Sequence, residues 1–284
     1  MTLSNRTSLV ALGLVAGLAL VGCQGEGAPT KIVEGPAGPA AGTQAQAETR
    51  AAEPSQPAAT AAASEALDPA IFTPHRTRGG QLRLADERLH DNPAAAGELL
   101  RRLDVATETE LQVALVEALP RTGGDWLDAI LARLPQEDAP PVRKAMVAIL
   151  ARAEPTAALP GIVMGLGDGD SHVRTEAALV AGSIPAAAAG GLTGALEKVL
   201  ADDHGPARAA AARSLGILQA ASAFDGVAAL LGDADANVRL QAVRALGRID
   251  QARAAELSAV RSLRTDADAK VARAARAVVG QPSP

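Results

Sequence analysis

The chain has 284 residues, a formal net charge of −5, 48% hydrophobic residues and only 1% aromatic residues. Ala and Leu dominate the apolar content and are strong helix formers, whereas the cores of β-sandwiches and barrels depend on aromatic and β-branched side chains. The single cysteine, Cys23, excludes an intramolecular disulfide framework and a Cys-rich zinc site, and the negative charge predicts no nucleic-acid partner. These properties predict an all-α protein.

An export signal is the first element predicted from the N-terminal end. Arg6 precedes an uncharged apolar run from Leu9 to Leu20. This run has the length of a signal-peptide core and is too short to span a bilayer as a helix. It is followed at once by the only cysteine of the chain, so that the segment ends in the residues Leu20, Val21, Gly22 and Cys23.

These four residues resemble the lipobox of bacterial lipoproteins. The resemblance implies a signal peptide over residues 1–22, cleavage after Gly22 and transfer of a diacylglyceryl group to Cys23, with acyl chains such as palmitate holding the protein on a membrane. Gln24 rather than Asp follows the cysteine, which under the sorting preference of some Gram-negative lipoproteins implies the outer rather than the inner membrane. We therefore expect a lipid-anchored protein of the bacterial cell envelope. The alternatives are an ordinary signal peptide with a chance cysteine and a buried apolar helix.

A linker is predicted for residues 23–78. Ala, Gly, Pro, Thr, Ser and Gln dominate this stretch, prolines recur along it, and neither a helical nor a strand period is sustained. Such a composition buries too little apolar area to offset the entropy of ordering the chain. We therefore expect a disordered spacer between lipid and domain. The alternative is a peptide that docks on a partner through Ile71 and Phe72.

The remainder, residues 79–284, repeats itself with a period of 31 to 34 residues. Periods in this range indicate stacked supersecondary units. In each copy an acidic turn precedes an apolar anchor that opens an amphipathic helix, and another apolar run precedes the turn, so that each unit reads as a helical hairpin. We predict an α-solenoid of about six hairpins, with anchors at Leu111, Val142, Val173, Ala207, Val238 and Val271.

The register of these turns resembles short HEAT repeats of the phycobilisome-lyase type. In that pattern an Asp in the turn is followed five and six residues later by Val and Arg, as at Asp168, Val173 and Arg174. Other copies depart from it, because Ala207 replaces Val in one and Glu137 replaces Asp in another. The resemblance implies a solenoid whose second helices line a concave face.

The recurring Asp and Arg residues predict a structural ladder of charge-assisted hydrogen bonds between neighbouring turns. In the last unit Ala272 stands where the arginine is expected, which fits a C-terminal cap, and the leucines of residues 82–103 predict an N-terminal cap. The ladder residues that we predict are Asp168, Arg174, Asp202, Arg208, Asp233 and Arg239.

The sequence offers few residues for chemistry. The four histidines do not share a helix at ligand spacing, and no nucleophile elbow, phosphate loop or dinucleotide motif occurs. We therefore expect no catalytic residue, no metal and no cofactor. The alternative is a HEAT-like enzyme or lyase subunit that binds a metal or chromophore between repeats, although an exported lipoprotein has no evident access to cytoplasmic phycobiliproteins.

A partner surface is predicted on the second helices. The residue six positions after each anchor lies off the buried stripe, toward the inner face of the solenoid. Among these positions Leu179, Arg213 and Arg244 are the candidate partner-binding residues. The function that we expect is that of a membrane-anchored, non-enzymatic protein–protein interaction scaffold, whose protein partner the sequence does not name.

Overall fold

Six helical hairpins follow one another in the computed structural model, which describes residues 67–84 and 87–280. They stack in chain order into an all-α solenoid, as the sequence predicts, and the predicted repeat is confirmed. The hairpins are α1 (Pro93–Val105) with α2 (Thr109–Ala118), α3 (Leu127–Arg133) with α4 (Pro140–Ile149), α5 (Pro155–Leu166) with α6 (Ser171–Ala181), α7 (Thr193–Val199) with α8 (Gly205–Ile217), α9 (Phe224–Ala229) with α10 (Ala236–Ile249), and α11 (Gln251–Glu256) and α12 (Ser258–Ser262) with α13 (Ala269–Val279).

Short 3-10 turns extend or connect several of these helices. A 3-10 turn has hydrogen bonds between residues three apart and is more tightly wound than an α-helix, so that it is common at helix ends and in connections. These turns are Pro69–Phe72, Glu87–Leu89, Leu119–Thr122, Leu134–Gln136, Leu150–Arg152, Ala189–Gly191, Ala221–Ala223, Leu230–Gly232 and Leu263–Thr265.

Acidic residues in the turns start three of the second helices. The side chain of Asp170 accepts hydrogen bonds from the backbone N–H groups of His172 and Val173 at the start of α6. Asp235 and Asp268 cap α10 and α13 in the same way. A carboxylate at this position satisfies free N–H groups and lies at the positive end of the helix dipole. The repeated acidic turn therefore fixes where each of these helices begins.

The second helices carry the core of the solenoid. The anchors Val142, Val173, Ala207, Val238 and Val271 are fully buried. Consecutive second helices pack against each other along their length, while the first helices of neighbouring hairpins touch far less. Small side chains make the approach close, and at Gly216 on α8 an added Cβ would lie 2.6 Å from the Cα of Ala245 on α10.

The end of the predicted linker differs from the structure. Ile71 and Phe72, placed in a disordered stretch by composition, are each only 2% exposed. Strand β1 (His75–Arg76) pairs antiparallel with β2 (Leu82–Arg83), and the guanidinium of Arg102 lies 4.5 Å from the centre of the Phe72 ring. The packed domain thus begins before residue 79, because two large apolar side chains cover the first hairpin. The rest of the predicted linker, up to residue 66, lies outside the described residues.

Candidate functional site

The predicted ladder residues meet across neighbouring hairpins. Each arginine lies near the start of a second helix and donates from Nε and Nη2 to both carboxylate oxygens of an aspartate in the next turn, at 2.6 to 3.0 Å. Such bidentate pairing is the strongest geometry for Arg and a carboxylate. The four pairs are Arg143–Asp168, Arg174–Asp202, Arg208–Asp233 and Arg239–Asp266.

The remaining nitrogen of each guanidinium, Nη1, donates to backbone carbonyl oxygens in the turn that precedes the arginine's own helix. Nη1 of Arg208 donates to the backbone carbonyl oxygens of Asp202 and Asp203, at 2.8 and 3.2 Å. The carboxylate of Asp233, which is paired with Arg208, also accepts a hydrogen bond from the backbone N–H of Asp235 at 2.9 Å. The aspartate and arginine of one repeat therefore do not pair through their side chains. The arginine binds the backbone of its own turn and the side chain of the next.

The ladder is a set of largely buried ion pairs in which the pKa values of the aspartates are lowered. A hydrogen bond from Arg174 is the main reason why the pKa of Asp202 falls from 3.8 to about 2. The pKa values of Asp233 and Asp266 are lowered by Arg208 and Arg239 in the same way. Because the ionised form is favoured, these carboxylates keep their charge at neutral pH and hold the turns in register.

The three candidate partner-binding residues lie on the exposed side of the second helices. Leu179 on α6 is 39% exposed, and Arg213 on α8 and Arg244 on α10 are both exposed. The sequence pattern missed Ile217, which ends α8 and is 42% exposed. We call the exposed side of the row of second helices the second-helix face. It presents apolar and basic groups on a surface built from closely packed helices.

Two grooves open between neighbouring second helices. The C-terminal groove, of about 440 Å³, lies between α10 and α13, and we define it by its lining residues Arg244, Gly247, Arg248, Gln251, Lys270, Arg273, Ala274, Ala277 and Val278. The N-terminal groove, of about 350 Å³, is lined by Arg83, Glu117, Pro120, Arg121, Ala148, Ile149 and Arg152. Burial and the neighbouring Arg83 lower the pKa of Arg121, and Glu117 opposes that change.

A family model described as HEAT repeats matches residues 192–280. These residues form the last three hairpins, and the same Arg–Asp geometry continues back to Arg143. The match shows that the last three hairpins are HEAT-like repeats. No curated protein matches its sequence.

Solved structures of low sequence identity resemble this chain. An engineered protein gives a TM-score of 0.49 with 22% identity, covering 65% of this chain and 95% of that one. The complex of CpcE and CpcF of phycocyanin lyase from Nostoc sp. PCC7120 gives 0.47 with 21% identity, covering 65% and 75%. A designed armadillo repeat protein in complex with the peptide (KR)4 gives 0.48 with 20% identity, covering 64% and 97%.

The histidines of the described residues are not gathered into one cluster. The rings of His172 and His204 lie 5.3 Å apart between centroids in an edge-to-face arrangement, and Nδ1 of His204 is 3.4 Å from Oγ1 of Thr175. His90 lies beside Asp91, at 2.8 Å. In the part of the chain that the structure describes, no group of three or more potential ligands could hold a metal ion.

Other predicted features fall partly outside the structure. The lipobox Leu20, Val21 and Gly22 and the lipidation site Cys23 lie outside the described residues. Within residues 67–84 and 87–280, no helix is both long and apolar enough to cross a membrane. The positions six residues after each anchor do not include Arg248, Lys270 and Arg273, which the structure places together in the C-terminal groove. Pairing the exposed positions of successive second helices would have found them.

Proposed function

We propose that this HEAT-like repeat protein is a membrane-anchored, non-enzymatic protein–protein interaction scaffold of the bacterial cell envelope. The observation that carries the proposal is the second-helix face, on which Leu179, Arg213 and Arg244 are exposed on a row of packed helices. Closely packed helices joined by bidentate ion pairs supply a surface of fixed shape, which lowers the ordering cost of binding a partner.

The anchor in this proposal is a lipid on Cys23. The apolar run that ends in Leu20, Val21, Gly22 and Cys23 supports it, and Gln24 favours the outer membrane over the inner membrane. Two or more acyl chains hold a protein on a bilayer far better than one, since each buried CH2 contributes about 0.8 kcal/mol. The repeat domain then works at a membrane surface to which the linker connects it.

Metabolic labelling with palmitate tests the anchor. We expect the wild-type chain to incorporate label and to fractionate with membranes, and Cys23→Ser to lose the label and accumulate as an uncleaved precursor. The matched control is Ser55→Ala, a substitution in the linker that leaves the lipobox intact and should label as the wild type does. Label retained on Cys23→Ser would contradict the lipid anchor.

Charge reversal tests the binding surface. After crosslinking in cells and identification of the captured proteins, we expect Arg213→Glu together with Arg244→Glu to lose the partner while helix content and melting stay unchanged. The control is Lys198→Glu together with Arg264→Glu, because both side chains are exposed and lie on the first-helix side. Capture of the same proteins by both double variants would contradict binding at the second-helix face.

Analysis of the purified protein tests its non-enzymatic character. A HEAT-like enzyme or lyase subunit with a site between repeats requires a bound metal or a chromophore. We expect elemental analysis to find no stoichiometric iron or other transition metal, and the absorption spectrum to contain no visible band. A metal or chromophore in a one-to-one ratio to the protein would contradict the scaffold proposal.

A further inference from the structure

We propose that the C-terminal groove binds an acidic segment of the partner protein, with Asp or Glu side chains between α10 and α13. The inference rests on the proposed function as a protein-binding scaffold, and it names where on the second-helix face the partner binds and by which chemistry. It starts from four cationic side chains that line one groove, Arg244, Arg248, Lys270 and Arg273.

These cations differ from the other arginines of the same helices. On α10, Arg239 forms an ion pair with Asp266 in the ladder. Arg244 and Arg248 on the same helix are exposed and form no ion pair within the described part of the chain. Lys270 and Arg273 on α13 are likewise exposed and without a carboxylate partner there. Like charges held close together repel one another, and a bound anion removes that cost.

In the N-terminal groove a carboxylate compensates part of the positive charge of the lining arginines. It also lies between two second helices and also collects arginines, but Glu117 is among its lining residues. Among the described residues, no carboxylate lines the C-terminal groove. Of these two grooves between described second helices, the C-terminal groove therefore carries positive charge that no lining carboxylate compensates.

The groove suits a polypeptide better than a nucleic acid. Its lining includes the small residues Gly247, Ala274 and Ala277, and the amide of Gln251 can pair with a peptide group. Proteins that hold single-stranded nucleic acid stack the bases on aromatic side chains, and no aromatic side chain is among those that line the groove. The negative net charge of −5 also disfavours a long polyanion.

Fluorescence anisotropy with the full-length protein in detergent tests the inference. The probe is a labelled peptide of alternating Asp and Ala, compared with alternating Asn and Ala, with inorganic phosphate and with a polythymidine oligonucleotide. We expect binding of the Asp peptide that weakens as NaCl is raised, and at least about ten-fold weaker binding by Lys270→Ala with Arg273→Ala. The matched control, Lys198→Ala with Arg264→Ala, should bind as the wild type does, and circular dichroism should find both variants folded.

The results separate the inference from the proposed function. Equal binding of the Asp and Asn peptides, preference for the oligonucleotide, competition by phosphate alone, or no effect of the Lys270 and Arg273 substitutions would overturn the acidic-peptide site. A photo-crosslinker at Leu179 tests the scaffold independently, since that residue lies outside the groove. A protein captured there with no acidic-peptide binding would refute the inference alone. Peptide binding with no protein captured, either at Leu179 or by the in-cell crosslinking of the wild-type chain, would refute the scaffold.

Discussion

The guanidinium of Arg208 makes four hydrogen bonds, two to the carboxylate of Asp233 and two to the carbonyl oxygens of Asp202 and Asp203. Its loss leaves the Asp233 side chain, which is 9% exposed, without its ion-pair partner. Hydrogen bonds to charged groups contribute about 1.5–3 kcal/mol. We therefore expect Arg208→Ala to lower the free energy of unfolding by about 1.5–3 kcal/mol, measured by urea denaturation.

Arg213, five residues further along α8, is the matched control. It is exposed and has no ion-pair partner among the described residues. Surface substitutions of this kind change stability by less than about 0.5 kcal/mol, and Arg213→Ala should do the same. Equal losses in the two variants would mean that the ladder does not stabilise the fold.

The lowered pKa of Asp202 predicts how the ladder responds to acid. Because its folded pKa, about 2, lies below the usual 3.8, the pair with Arg174 contributes stability that is present above about pH 4. That contribution is lost as the pH falls from about 4 toward 2. Asp202→Asn should therefore lower the unfolding midpoint at pH 6 and flatten its dependence on pH in the acidic window. An unchanged slope between wild type and variant would contradict this origin.

The residue pattern predicts the register of the ladder but not its connectivity. The spacing from Asp168 to Arg174 identifies the repeating pair, yet the two belong to one turn and their side chains bind different partners. A guanidinium can donate to a carboxylate from Nε and Nη2 and to other acceptors from Nη1. The sequence alone does not tell which acceptor is the backbone and which is the aspartate. In the degenerate first hairpin Gln112 stands at the arginine position. Its amide donates to the carbonyl oxygen of Ala106 at 2.9 Å, so that the bond to the backbone of its own turn is kept.

At the scale of the helix, close packing of α8 on α10 depends on Gly216. An added Cβ there would meet the Cα of Ala245 at 2.6 Å, and backbone cannot move aside cheaply. Ala is the better helix former by about 1 kcal/mol, but overpacking costs about 1–3 kcal/mol. We expect Gly216→Ala to lower the free energy of unfolding by up to about 2 kcal/mol in denaturant titrations, the net of these two effects.

Gly97 in α1 separates packing from helix propensity. It is exposed, and an added Cβ there would meet nothing within 4 Å. Gly97→Ala should raise the free energy of unfolding by about 0.5–1 kcal/mol, since only propensity changes. A gain in stability from both substitutions would show that the two helices can separate without cost.

The sequence predicts the second helices, whose pattern recurs in every repeat. It does not predict the packed segment before the first hairpin, where only the overall composition can be judged. The anchors and acidic turns located the second helices, because a 3.6-residue stripe repeated in every copy. Composition places Ile71 and Phe72 in the linker because their neighbours are small and polar, although both side chains are buried. Two apolar residues give no period, and only the structure provides the first hairpin on which they pack.

At the scale of the whole molecule, the described hairpins contact mainly their neighbours in sequence. Stability in such an array is the sum of the hairpins and of the interfaces between them. The ladder acts only at these interfaces, because each arginine joins one turn to the next. Loss of one pair is therefore expected to loosen the hairpins on either side of it and to leave distant ones unchanged.

Hydrogen exchange followed by mass spectrometry can measure this locality. The pair of Arg239 with Asp266 joins the turn before α10 to the turn before α13. Arg239→Ala should speed amide exchange in residues 251–279, while residues 140–181 exchange as in the wild type, because two intact interfaces, α6 on α8 and α8 on α10, separate the two regions. Arg244→Ala, on the same helix but outside the ladder, should leave both regions unchanged. Faster exchange spread evenly over all hairpins would mean that the array unfolds as one cooperative unit and that the ladder does not act locally.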